Sequence, residues 1–171
     1  MKNKFSILLI VFFTFIFIIF YKGLNNSNIY VPSTQVEKDV PDLKVKLLRS
    51  QNEIELKSLF EGNEFYLINI WSSWCGPCRE EHPILMNLKN QKNINIIGLN
   101  YKDNKANAEK FLSELGNPYY EILEDNNGSK SIELGAYGVP ESFLIHQNKI
   151  IRKYICPLNQ NLFTEINSLI K

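Results

Sequence analysis

The sequence predicts an α/β domain, with a central mixed β-sheet covered by helices on both faces and one transmembrane helix ahead of it. Three observations carry that expectation. An apolar, β-rich stretch over residues 65–71 runs directly into Ser72-Ser73-Trp74-Cys75-Gly76-Pro77-Cys78, where a helix begins. From there strand and helix signals alternate to the C-terminus in the order β-α-β-α-β-α-β-β-α. Before them, Met1-Lys2-Asn3-Lys4 leads into an apolar run, residues 5–21, whose only polar members are Ser6 and Thr14.

At ~1.5 Å per residue the apolar run spans roughly 25 Å, a little short of the ~30 Å hydrocarbon core but within the range of spanning helices. A cleaved signal peptide shares the basic start and the apolar core. The chain continues Tyr21-Lys22-Gly23-Leu24-Asn25-Asn26 without a small-x-small cleavage pattern, so an uncleaved anchor is expected. With Lys2 and Lys4 inside, all that follows faces the other side of the membrane. The expected division is a cytoplasmic basic N-terminus (1–4), an anchor (5–21), a linker (22–40) and one domain (41–171). The linker is polar, carries Pro32 and is expected to lack structure.

Residues 43–49 alternate apolar and charged side chains, as a strand with one wet face does. Residues 53–60 fit a short helix. The stretch 65–71 is apolar almost throughout, as in a strand buried on both faces. Gly76 and Pro77 open a helix to about residue 90, with Pro77 in the first turn and Pro83 expected to kink it. Residues 94–100 form a second apolar strand, and a helix over 104–115 ends at Gly116-Asn117-Pro118. A brief strand (119–123) and a short helix (129–134) follow. Residues 142–146 and 149–155 flank Gln147-Asn148 as a hairpin, and 158–170 is a closing amphipathic helix.

The chain has 171 residues, enough for one domain of ordinary size. Its formal net charge is +1 with acids and bases interspersed, which leaves no basic face for nucleic acid. The chemistry lies in the dithiol. Cys75 falls at a helix N-terminus, where unpaired N–H groups and the helix dipole favour a thiolate, and Cys78 lies one turn further on. Zinc sites use the same Cys-x-x-Cys spacing. His82 and His146 match no zinc-finger spacing, however, and no metal site is expected.

Four motifs occur in order: Trp71-Ser-Ser-Trp-Cys-Gly-Pro-Cys-Arg-Glu-Glu-His-Pro83, Gly98-Leu-Asn-Tyr-Lys-Asp103, Leu115-Gly-Asn-Pro-Tyr119 and Gly135-Ala-Tyr-Gly-Val-Pro-Glu-Ser-Phe-Leu-Ile145. With the anchor, this order resembles the membrane-anchored thiol-disulfide oxidoreductases of cytochrome c maturation, the DsbE/CcmG type within the thioredoxin superfamily. The resemblance implies a thioredoxin-like fold in which Cys75 attacks a substrate disulfide and Cys78 resolves the mixed disulfide. A purely structural bridge is a poor alternative, since closing so short a loop removes little chain entropy. Trp74 is expected on the apolar rim that holds substrate, and Val139-Pro140 in the cis-proline loop facing the dithiol. Thioredoxin itself has a buried Asp where Asn69 stands and a Lys where Gly98 stands, so that buried ionisable pair is absent. Glu141 becomes the candidate for proton transfer or for tuning the thiol pKa, with a solvated acid at a strand start as the alternative. Cys156 falls where these proteins usually carry Gly. It reads as a small buried thiol, or as an accessory thiol near the Cys75 face.

The function implied is a periplasmic reductant, anchored in the inner membrane as a single-pass protein. It keeps the Cys-x-x-Cys-His thiols of apocytochrome c, or of the maturation partner holding them, reduced. The expected partners are that client and a membrane electron donor of the DsbD/CcdA type. No bound cofactor beyond the Cys75–Cys78 disulfide and no nucleic acid are implied, and the protein is expected to act as a monomer. Two alternatives stay open: a general periplasmic disulfide reductase with broad clients, and a metal-delivery or assembly scaffold using the dithiol as ligand.

Overall fold

Strand β4 (Phe65–Trp71) lies inside the sheet because its side chains are apolar in both directions. Tyr66, Ile68 and Ile70 enter one core, while Leu67 and Trp71 enter the other. The computed structural model describes residues 2–25, 35–50, 52–62 and 64–171. In it, β4 pairs in parallel with β5 (Ile94–Tyr101) and antiparallel with β7 (Glu141–His146). Beyond β7 come β8 (Lys149–Tyr154) and β1 (Gln35–Asp39), both antiparallel to their neighbours. On the other side β6 (Glu121–Asp125) runs parallel to β5, and β2 (Lys44–Leu47) and β3 (Glu53–Glu55) close the edge. The sheet thus has eight strands in the order β1-β8-β7-β4-β5-β6-β2-β3.

Helices cover both faces, as expected. Leu85 and Leu88 of α2 (Gly76–Leu88), Phe111 of α3 (Lys105–Leu115) and Ile166 of α5 (Gln160–Leu169) pack with Leu67, Trp71, Ile96 and Leu144. On the opposite face Leu134 of α4 (Ser129–Leu134) packs with Val45, Ile68, Ile97, Phe143 and Ile145. Local signals set the helix ends. The Asn104 side chain accepts from Ala106 N, Asn159 from Asn161 N and Leu162 N, and Asp125 from Lys130 N and Ser131 N. Gln147 and Asn148 take φ of 50° and 62°, the conformation that a tight two-residue hairpin turn demands.

The structure corrects several expectations. The linker does not run unstructured to Val40: residues 35–39 form β1, because β8 offers a free edge and Val40 is buried next to it. Residues 53–60 are a strand followed by a 3₁₀ turn (Leu56–Leu59), since pairing with β2 outweighs the weak helical pattern. The strand predicted from Tyr119 begins at Glu121, which leaves Tyr119 free to turn its ring and hydroxyl into the core.

Gly98 of β5 explains why no lysine stands there. A Cβ at this position would lie 2.8 Å from Trp71 Nε1 and 2.9 Å from the Tyr119 ring. Gly98→Ala is therefore expected to lower stability by about 1–3 kcal/mol, read by urea unfolding. An unchanged midpoint would show that the Trp71–Tyr119 stack yields freely.

The N-terminal segment forms its own unit, helix α1 (Lys2–Asn25). Most of its large apolar side chains between Ile7 and Tyr21 are exposed. Among the described residues no helix is long and apolar enough to cross a membrane.

Candidate active site

Strand β4 ends at Trp71, and the chain turns through residues 72–74 into α2. That turn is gripped from β5 and the loop after it. Ser72 Oγ donates to the Tyr101 carbonyl; Asp103 accepts from Ser73 N at 2.6 Å and from Ser73 Oγ at 2.8 Å; Trp74 Nε1 donates to the Lys102 carbonyl at 3.0 Å. The loop carrying the first cysteine is thereby fixed by three consecutive residues, through the carbonyls of Tyr101 and Lys102 and the carboxylate of Asp103. Trp74 keeps 59% of its surface exposed, whereas Trp71 is 1% exposed and stacks on Tyr119 with ring centroids 5.3 Å apart. Trp74 is thus exposed beside the dithiol, and Trp71 belongs to the core.

Cys75 is the N-cap of α2 and Pro77 stands in its first turn. Cys75 and Cys78 are joined by a disulfide with an S–S length of 2.07 Å, and Cys78 N donates to Cys75 Sγ at 3.1 Å. Both are nearly buried, Cys78 the more deeply. The Val139–Pro140 peptide is cis, and Val139 packs against the cluster that contains both cysteines. Glu141 pairs in register with Ile70, so Pro140 stands one residue further toward the cysteine end of β4.

Glu141 does not approach the dithiol in the manner expected. Its neighbour Ser142 contacts Asn69 on the α2 side of the sheet, so by strand alternation Glu141 faces the other side. There Oε1 accepts from Tyr137 N and Gly138 N, and Oε2 pairs with Lys153 Nζ at 3.0 Å. Lys153 also donates to the Gly135 carbonyl and lies 3.8 Å from the Tyr137 ring centroid. This carboxylate organises the loop leading into Pro140.

A different acid lies beneath the disulfide. Glu81, one turn past Cys78 on the buried face of α2, is 1% exposed. Its Oε1 accepts from Asn69 Nδ2 at 2.8 Å and its Oε2 from Leu158 N at 2.7 Å. Burial pushes its carboxyl up to about 7, against the opposing effect of these two donors. Asn69 thus takes the place of an acid in β4 and holds one supplied by the helix. His82, the next residue, turns away: its Nε2 meets the Gly116 carbonyl at 3.0 Å, and burial lowers its pKa. His146 stacks on Phe65 at the opposite end of β4, so the structure does not bring the two histidines together.

Cys156 is exposed, in the turn between β8 and α5, which corrects the buried-thiol reading. Partial burial of the sulfur and the charge of Glu81 nevertheless push its thiol pKa up.

Residues 35–167 match the Redoxin family model. The chain belongs to the Redoxin family. Within that family it is 35% identical over 170 residues to the thiol:disulfide interchange protein DsbE of Pasteurella multocida, covering 96% of this chain and 93% of that one. It is 43% identical over 120 residues to DsbE of Vibrio cholerae, covering 70% and 64%. Among solved structures, a DsbF homologue from Corynebacterium diphtheriae superposes with a TM-score of 0.66 at 22% identity, covering 81% of this chain and 95% of the other. This Redoxin-family chain is a thiol-disulfide oxidoreductase with a thioredoxin-like fold.

Sequence reasoning quoted Glu81 within the active-site motif but gave it no role. The signal that finds it is helical spacing. Cys78, Glu81, His82 and Leu85 share one face of α2, and an acid on the apolar stripe of an amphipathic helix is buried unless the helix is edge-on to solvent.

Proposed function

We propose that the chain is a membrane-anchored periplasmic reductant that keeps the Cys-x-x-Cys-His thiols of apocytochrome c, or of the partner holding them, reduced for haem attachment. The observation that carries this reading is a dithiol at a helix N-terminus, walled by Trp74 and the cis Val139–Pro140 loop, in a chain whose four ordered motifs are those of the DsbE type.

In the reduced state Cys75 attacks one sulfur of the substrate disulfide. A Cys75–substrate bond forms and one substrate thiolate leaves, taking up a proton. Cys78 then attacks Cys75 Sγ, closes the disulfide and releases the second substrate sulfur. Two electrons pass to the substrate, and Cys78 must shed its proton. Glu81, one turn away and balanced between ionised and neutral near pH 7, is the group that takes it. Trp74, Val139 and Pro140 form the surface on which the substrate chain lies, and Glu141 shapes that surface through the loop before Pro140.

The reaction requires no cofactor beyond the disulfide, but it requires a source of electrons. Against an oxidant near ~−120 mV, a reductant near thioredoxin's ~−270 mV stands ~150 mV uphill, about 7 kcal/mol for two electrons. A membrane donor of the DsbD/CcdA type meets that need. Although no helix among the described residues is long and apolar enough to cross a membrane, the apolar run of the sequence from Phe5 to Tyr21 supports the anchor: it covers about 25 Å of a core of about 30 Å, a shortfall that local thinning and Lys4, Tyr21 and Lys22 at the interfaces would meet.

Trapping tests the reading. Full-length chain carrying Cys78→Ser, expressed in a cytochrome c-producing bacterium, is expected to accumulate a disulfide between Cys75 and a Cys-x-x-Cys-His polypeptide or its carrier. Capture of many unrelated periplasmic proteins in comparable amounts would favour a general reductase instead.

A further inference from the structure

A buried chain of polar contacts runs from Tyr119 to the acid under the dithiol. Tyr119 Oη donates to Asn69 Oδ1 at 2.9 Å, and Asn69 Nδ2 donates to Glu81 Oε1 at 2.8 Å and to Ser142 Oγ at 3.1 Å. Asn69 is 0% exposed and Tyr119 5% exposed, so bulk solvent does not compete for these contacts. The order of donors is forced by chemistry. An ionised carboxylate only accepts, so Asn69 must turn its NH₂ toward Glu81; its carbonyl oxygen then faces Tyr119, whose hydroxyl proton satisfies it.

We propose that Tyr119 is a positioning residue that, through the amide of Asn69, holds Glu81 ready as a proton acceptor. Protonating Glu81 at Oε1 requires the reverse arrangement. Asn69 would rotate to accept from the new carboxyl O–H, and its NH₂ would face Tyr119 Oη. The Tyr119 proton would then need another acceptor in a buried site, an arrangement that leaves one polar group unpaired. The other carboxylate oxygen is no easier to protonate, because Leu158 N already donates to it at 2.7 Å. Tyr119 therefore favours the ionised form of Glu81 from two contacts away. The stack of its ring on Trp71 and the absence of a side chain at Gly98 hold the hydroxyl in place.

The groups facing Glu81 are drawn from every element around it. They are Asn69 of β4, with Ser142 of β7 bonded to it, Tyr119 ahead of β6, and the Leu158 amide and the Cys156 thiol between β8 and α5; Cys78 precedes Glu81 by one turn on α2 itself. Arg79 reaches Glu114, His82 reaches the Gly116 carbonyl, and Glu165 of α5 is engaged by Tyr154 and Arg152. In the oxidised protein the two active-site cysteines do not titrate, and the Tyr119 and Cys156 pKa values are both raised. A carboxyl signal that titrates near neutrality in that state reports Glu81.

The inference rests on the proton-accepting role proposed for Glu81, and the test separates the two. The oxidised full-length chain is titrated by difference infrared spectroscopy of the protonated carboxyl band, with Glu81→Gln used to assign it. Tyr119→Phe keeps the ring and is expected to raise the midpoint by about one pH unit. Fluorotyrosine placed at 119, which keeps the hydroxyl and makes it a stronger donor, is expected to lower it. The pH profile for closure of the Cys75–Cys78 disulfide from a mixed disulfide is expected to move with the midpoint. A midpoint that moves while the closure profile stays put would support the positioning and remove Glu81 from the closure step. A midpoint unmoved by both substitutions would overturn the proposal.

Discussion

Cys75→Ser is expected to abolish disulfide exchange, lowering the rate on a model protein disulfide at neutral pH by at least about a thousandfold. A serine hydroxyl cannot ionise at this pH, so the helix N-terminus that favours a thiolate at Cys75 has nothing to stabilise. The remaining thiols do not substitute. Cys78 is 2% exposed beneath the rim, and burial together with the Glu81 charge pushes the Cys156 thiol up, leaving it less thiolate at neutral pH. The measurement is the steady-state reduction of the model substrate by the full-length chain in detergent, with Cys78→Ser for comparison. That second variant is expected to attack once and stall as a mixed disulfide. If Cys75→Ser keeps more than about a tenth of the wild-type rate, the attacking sulfur has been misassigned.

The second large effect is on stability, and it has an unusual sign for a carboxylate. Glu81 ionises near 4.5 in the unfolded chain and at about 7 in the folded one, so the folded state binds the proton more tightly. Stability therefore falls as pH rises from about 4.5 to about 7 and levels off beyond, by a total of about 3 kcal/mol from this one group. Urea unfolding of the oxidised chain at pH 4.5, 6 and 8, read by tryptophan fluorescence, is expected to show that loss relative to Glu81→Gln. Gln carries no proton to lose, so subtracting the two isolates the group from the other carboxylates. A wild-type minus variant difference that is flat with pH would mean that Glu81 is solvated in the native state. The same loss of stability marks Glu81 as a group held for chemistry, since a buried charge with only two donors does not help the fold.

The fold was legible wherever a signal is local. The strand over 65–71 and the helix from Gly76 were read from apolar continuity and a proline in the first turn, and both stand where they were expected. So do the helix ending before Gly116 and the hairpin at Gln147-Asn148. Misreadings gathered where a partner strand decides the outcome. Residues 35–39 carry three charged side chains and no strong β pattern, yet they become a strand because β8 would otherwise present a bare edge. Residues 53–55 pair with β2 for the same reason, and Tyr119 leaves its predicted strand because the cavity above Gly98 takes its ring.

At the site the division is sharper. By itself the sequence determined the dithiol: its spacing and its place at the junction of a buried strand and a helix. Each of these depends on residues within a few positions of one another, and backbone sterics and capping act over that range. Only the tertiary structure decided which acid lies buried on the helix that carries the dithiol. Glu141 is adjacent to the proline in sequence, but strand alternation turns it to the far face, where Lys153 meets it. Glu81 is buried by partners 12 and 77 residues away, Asn69 and Leu158, and its carboxyl is raised by desolvation, which no local pattern encodes. Desolvation is a property of everything packed around a group, so it exists only once the chain has folded.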